Sequence, residues 1–321
     1  MGNMTSRLSG FWARGFLAAA LAVAPAAALT SLAALGAAGC GGATQGLAGG
    51  IRRGGATDPT AYQAAVAAGD AAFAGRVERG QLEVAVAKYE EAVKLKDDDW
   101  QTYGKLARAC YALADQWLFF EKDKNPELFL ATYKKGMDYA QRGMAAISPD
   151  VEKRLDAGVD LKDAVQILDK QAIDLLYWHA TNLGRWANAQ DITVVLTYKD
   201  RIYNIMEMVL RFDPNFFYGA ADRYFGAYYS IAPSFAGGDL DKSASHFQAS
   251  LKIAPSYAST YILVAEFLAP KKQDEKQFDE NIDKVLAMPD DIIPEMAAET
   301  RAEKKKAELL KKRKAEGEFP F

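Results

Sequence analysis

The sequence predicts an all-α protein, a solenoid of stacked helix pairs with inserted helices and a C-terminal capping helix, behind a secretory leader. Three observations predict it. Amphipathic segments close repeatedly on apolar positions followed by proline, as in Leu210-Arg211-Phe212-Asp213-Pro214 and Leu251-Lys252-Ile253-Ala254-Pro255. Small or apolar residues recur in those segments at intervals of four and three, which places each set on one helical face. The residues before Cys40 carry no acid and pass from basic to apolar to small.

The leader comes first in the chain. Met1 to Arg14 carries Arg7 and Arg14, and an alanine-rich apolar run from Phe16 to about Gly36 closes on Ala37-Ala38-Gly39-Cys40. That order is a secretory signal. The ending resembles the bacterial lipobox, with Ala37 where leucine is commonest, and so predicts lipidation of Cys40. Two other readings are an uncleaved membrane anchor, since the run is long enough to span, and cleavage without acylation. The glycine-rich stretch after Cys40 is too poor in apolar residues to order itself and reads as a tether. Two acyl chains on one cysteine supply the double anchor that stable attachment requires. The expected location is the periplasm, lipid-anchored, and at the outer membrane before the inner because Gly41 is not an aspartate.

Composition narrows the classes. Removing residues 1–39 takes away two arginines and no acid, which moves the net charge from −3 to −5. A mildly acidic chain without a basic stripe predicts no nucleic-acid partner. Apart from Cys40 the only cysteine is Cys110, inside Leu106-Ala107-Arg108-Ala109-Cys110-Tyr111, where a lone thiol at helical spacing reads as a small core residue.

The repeat spacing is of the tetratricopeptide type. The helix-facing sets are Ala85, Tyr89 and Ala92, then Ile202, Met206 and Val209, then Ser243, Phe247 and Ser250. First helices carry a large residue with a smaller one four later: Trp100 with Gly104, Tyr177 with Thr181, Tyr261 with Ala265. Leu95-Lys96-Asp97 closes an earlier helix without proline. Proline endings at 149, 214, 255 and 289 lie 65, 41 and 34 residues apart, and only the last interval is the regular period. Insertions are therefore expected at about 116–130, 149–170 and 187–197, the middle one with a short helix around Leu161 to Asp169. From Pro294 to Lys314 the chain is charged and alanine-rich, which reads as a solvated cap, or as a basic docking patch. The expected organisation is a signal peptide over 1–39, a lipidated cysteine and flexible tether over 40–57, a tetratricopeptide-like domain over 58–292, and a charged capping helix and tail over 293–321.

In such folds the first helix of each unit lines the hollow side. That register selects Trp178, Asn182, Arg185 and Trp186 in the third unit and Tyr218, Phe225, Tyr228 and Tyr229 in the fourth. The second unit offers Gln101, Lys105 and Arg108, and the fifth Ile262 and Glu266. Aromatic rings with one polar atom suit an apolar ligand with a polar or anionic end, with Arg185 orienting an acid group. The plainer reading is that these rings fill the core of a thick helical stack.

Leu176-Tyr177-Trp178-His179-Ala180-Thr181-Asn182-Leu183-Gly184-Arg185-Trp186 and the stretch from Tyr224-Phe225-Gly226 to Gly237-Gly238-Asp239 resemble the T-component family associated with TRAP transporters, over about residues 60–290. The resemblance implies a periplasmic tetratricopeptide lipoprotein that partners a TRAP solute-binding protein. It also implies a homotrimer, with a channel in each protomer that passes a small organic ligand.

Within the second stretch, Pro233 ends a helix, two glycines permit a reversal, and Asp239 caps the next helix. A phosphate cradle there lacks the P-loop lysine and threonine. Only His179 and His246 are present, in no metal-binding spacing, and hydrolase serine motifs are absent. The expectation is a binding protein, not an enzyme, with no cofactor. A scaffold holding a partner's peptide in the envelope is the alternative.

Overall fold

The computed structural model describes residues 49–321; the expected leader and Cys40 lie outside the described residues. Prolines and acidic caps cut the chain into helices. Asp58 accepts from the Ala61 amide at 3.0 Å and Pro59 takes the first turn of α1, Pro59–Ala74, where its missing N–H costs nothing. Next come α2 (Gln81–Leu95), α3 (Trp100–Gln116) and α4 (Pro126–Ile147). Two short helices, α5 (Pro149–Asp156) and α6 (Leu161–Ala164), precede α7 (Ile173–Asn188) and α8 (Ile192–Phe212). The second half holds α9 (Phe216–Ile231), α10 (Leu240–Ile253), α11 (Ala258–Leu263), α12 (Ala269–Lys272), α13 (Glu275–Ala287) and α14 (Ala297–Ala315). A single π turn, Val264–Leu268, joins α11 to α12.

The pairs α1/α2, α3/α4, α7/α8, α9/α10 and α11/α13 pack in sequence, which makes the fold all-α and solenoid-like. α4, α8, α10 and α13 each stop two residues before Pro149, Pro214, Pro255 and Pro289, where proline disfavours the helical conformation of its predecessor. All nine residues of the helix-facing sets are buried, from Ala85 to Ser250. Glycine sets the closest approach: a Cβ at Gly226 would lie 2.6–2.8 Å from three ring atoms of Phe247. Cys110 is fully buried, and burial pushes its thiol up to about 12. Among the described residues no helix is long and apolar enough to cross a membrane.

Three expectations are corrected in detail. No insertion occupies 187–197, because α7 runs to Asn188 and the Asp191 side chain caps α8 at once, accepting from the Thr193 and Val194 amides. The short helix expected around Leu161 to Asp169 is present as α6 with a 3-10 turn, Val165–Ile167, and α5 precedes it. The tether does not run free to residue 57: Gly50 to Gly54 are hydrogen-bonded to α2, α4, α5 and the α2–α3 turn. Finally, α14 is not a solvated end cap. It packs on α11 and α13 and also reaches back to α3, burying Glu303, Lys306, Ala307 and Leu310.

Candidate functional site

Three stripes at helical spacing face one cavity: Arg108, Tyr111 and Asp115 on α3, Trp178, Thr181 and Arg185 on α7, and Ala220, Tyr224 and Ala227 on α9. The N-terminal part of α8, the end of α11 and the π turn after it supply aliphatic and aromatic wall, from Ile192, Leu196, Leu263 and Phe267. Glu299 and Glu303 of α14 complete the lining. The cavity volume is about 190 Å³, below the roughly 300–1,000 Å³ of drug-sized sites, so a small body fits it. Most of the wall is apolar. Tyr111 and Trp178 meet at 5.5 Å between ring centroids, Tyr177 and Trp178 at 4.7 Å, and Trp178 and Phe217 at 5.1 Å.

Phe217 reaches this wall through an unusual start to α9. Phe217, Tyr218 and Gly219 take φ values of 40°, 62° and 69°, a left-handed run that costs non-glycine residues about 1 kcal/mol or more each. Arg223 holds it, donating to the carbonyls of Tyr218 at 2.9 Å and Phe217 at 3.3 Å. The same guanidinium donates to the Tyr177 hydroxyl at 3.3 Å and lies 4.4 Å from the Tyr257 ring centroid. Arg108 sits among Phe73, Trp178 and Phe217 at 5.0, 5.7 and 5.2 Å, with Met296 Sδ at 3.9 Å. Among the described residues neither Arg108 nor Arg223 forms an ion pair, although Arg223 is 5% exposed. A buried cation without an anion is costly. Arg223 is such a group, and the half-buried Arg108 adds a second guanidinium without an ion pair to the same apolar cavity.

The opposite arrangement holds where α14 crosses α3. Lys306 Nζ lies 2.7 Å from Asp115 and 3.2 Å from Glu303, and Arg185 Nη2 lies 3.5 Å from Asp115. Glu303 also accepts from the Ser259 hydroxyl. Burial pushes the Asp115 carboxyl up, but Lys306 and Arg185 outweigh it and hold the group below its ordinary value. Burial likewise depresses Lys306, which Asp115 and Glu303 reverse, raising the ammonium overall. This network is electrically closed, so its charges belong to packing α14 and not to a ligand.

Of the rings and polar groups selected from the register, Arg108, Trp178, Arg185 and Tyr228 line the cavity. Arg185 is engaged by Asp115 and donates to the Tyr111 hydroxyl at 3.4 Å, so the unneutralised cations are Arg108 and Arg223 instead. Asn182 points into the α3–α4–α7 seam, donating to Ala107 O and Trp178 O; Gly136 makes room for it, since a Cβ there would meet Asn182 Oδ1 at 2.4 Å. Trp186 packs on Tyr198 of α8 at 5.9 Å. Phe225 and Tyr229 fill the α8–α9–α10 seam against His246, at 5.3 and 5.6 Å. Tyr218 leaves the register because its backbone is left-handed; it stacks on Tyr257 at 4.9 Å and lines a shallower groove with Arg108 and Met296.

The model of the TRAP transporter T-component family matches residues 107–317, which takes in every residue lining the cavity. No curated protein matches the chain.

Proposed function

Because this chain belongs to the TRAP transporter T-component family, we propose that it is a periplasmic, lipid-anchored accessory of a TRAP-type uptake system that binds or passes a small organic ligand and docks the solute-binding protein. The observation that carries the ligand is the apolar cavity with two guanidinium groups that form no ion pair among the described residues. An organic acid with an apolar body matches both features: rings and aliphatic side chains take the body, and Arg108 and Arg223 take the acid group. Arg185 is held by Asp115 and the Tyr111 hydroxyl. The proposed role is binding and transfer, not catalysis.

The scaffold reading needs an open hollow side for a partner's helix. α14 lies across part of that side and is tied there by the Lys306–Asp115 bridge, which favours an enclosed small-molecule site. Docking is tested by affinity purification of the acylated full chain from the envelope. Copurification of a periplasmic solute-binding protein is expected; its absence from preparations that retain the acyl chains would defeat the docking part of the proposal.

A further inference from the structure

The segment that emerges toward Cys40 is strapped to one corner of the domain. Arg142 Nη2 donates to Gly50 O at 2.7 Å, and the Ile51 amide donates to Glu152 Oε1 at 2.6 Å. The Arg52 amide donates to Asp97 Oδ2 at 2.8 Å while its guanidinium donates to Lys94 O at 2.8 Å. Arg53 pairs with Glu152 at 2.5 Å and donates to Ala145 O at 2.9 Å. Ile51 buries its side chain, and the Gly54 amide donates to Asp98 Oδ2 at 3.2 Å. The receiving groups are themselves fixed. Asp97 is bound by Arg142 at 2.8 and 2.9 Å and by the Tyr103 hydroxyl at 2.6 Å. Burial pushes the Asp97 carboxyl up, but Arg142, the Arg52 amide and Tyr103 hold it below its ordinary value. Successive backbone groups captured by side chains from the ends of three helices form a docking site for an extended peptide, and a glycine-rich linker has no such requirement.

We propose that this strap fixes the orientation of the domain on the membrane, with the corner formed by the C-terminal ends of α2 and α4 and by α5 facing the lipid surface. The inference rests on acylation of Cys40. A tether free from residue 41 to residue 57 would reach about 60 Å at full extension. Strapping it at Gly50 leaves nine residues, which reach about 30 Å. A domain of this length is about 50 Å across. The longer tether lets any face meet the bilayer, whereas the shorter one keeps the pole opposite the strap away from it. Lys153 on α5, 77% exposed, lies next to the strap's partner Glu152 and is carried to the lipid side.

The test uses the acylated full chain on phosphatidylethanolamine–phosphatidylglycerol vesicles, with a donor fluorophore on Lys153→Cys and acceptor-labelled lipid headgroups. The partner variant adds Arg52→Pro and Arg53→Ala, changes on the strap itself that remove the bonds to Asp97, Lys94, Glu152 and Ala145 and leave the receiving side chains in place. Energy transfer at position 153 is expected to fall at least twofold in the released variant. Hydrogen exchange at the Ile51 and Gly54 amides should accelerate at least tenfold, with an unchanged near-ultraviolet circular dichroism spectrum. Equal transfer in the two proteins, or unprotected amides in the intact one, overturns the proposal. Palmitate incorporation separates the premise from the inference: without it the anchor and the orientation both fall, while slow amide exchange would still identify the strap as part of the fold.

Discussion

Replacing Lys306 by methionine is expected to destabilise the protein by about 3–5 kcal/mol, the usual loss when one partner of a buried charge pair is removed. Its side chain is 7% exposed and bridges Asp115 at 2.7 Å and Glu303 at 3.2 Å. After the change Asp115 keeps Arg185 at 3.5 Å, which sets the loss toward the lower end. Glu303 keeps only the Ser259 hydroxyl, a neutral donor that does not balance its charge. For a chain of this size about 3 kcal/mol corresponds to a fall in Tm of roughly 6–12 °C. Adding Asp115→Asn and Glu303→Gln removes the stranded charges and should restore at least half of the loss. The sign with pH follows from Asp115. Its folded-state value is depressed, so its contribution is present above the ordinary carboxylate value of about 4 and is lost as pH falls through the folded value. The gap between wild type and Lys306→Met should therefore narrow in acid. Urea denaturation at pH 7 reads the energy; a loss under about 1 kcal/mol would refute the view that this bridge ties α14 to α3.

Two further outcomes follow from packing. His179 is fully buried, donates from Nδ1 to Met137 O at 3.0 Å, and is pushed by burial down to about 4. Its neutral form is favoured in the fold, so stability is full above about pH 6.5 and should drop by about 3 kcal/mol as pH falls to about 4. A His179→Gln variant should show a flatter urea midpoint across that window; parallel profiles would count against the assignment. Gly226→Ala drives a Cβ within 2.6–2.8 Å of the Phe247 ring, and overpacking of that kind costs about 1–3 kcal/mol. A variant as stable as the parent would mean that α9 and α10 are less closely packed than described.

Much of the fold is legible because helix ends and facing surfaces are local properties. Proline positions mark the ends of α4, α8, α10 and α13, and the four-and-three spacing picks out the buried faces of α2, α8 and α10. The cavity is legible only in part. Trp178 and Tyr228 follow the first-helix register, whereas Tyr218 leaves it because three left-handed residues open α9. Asn182, Phe225 and Tyr229 show the second limit: a helix buried on several sides carries polar and aromatic residues on faces that meet other helices. The stripes at 108, 111 and 115 and at 220, 224 and 227 were present in the spacing and identify the walls. The contribution of α14 was hidden, since Glu299, Glu303 and Lys306 look like any solvated charged face until Asp115, 191 positions away from Lys306, is brought against it. The strap was hidden for a similar reason, because a glycine-rich composition says nothing about the carboxylates waiting at residues 97 and 152.

The central claim is that the cavity takes an acid with an apolar body on Arg108 and Arg223, and calorimetric titration of octanoate against 1-octanol tests it most directly. The account predicts that wild type binds octanoate at least tenfold more tightly than the alcohol, from about 1.5–3 kcal/mol for charge-assisted hydrogen bonds. Arg108→Met and Arg223→Met should each remove most of that preference while the alcohol still binds. Equal affinity for acid and alcohol in wild type, or a preference untouched by both substitutions, would contradict it.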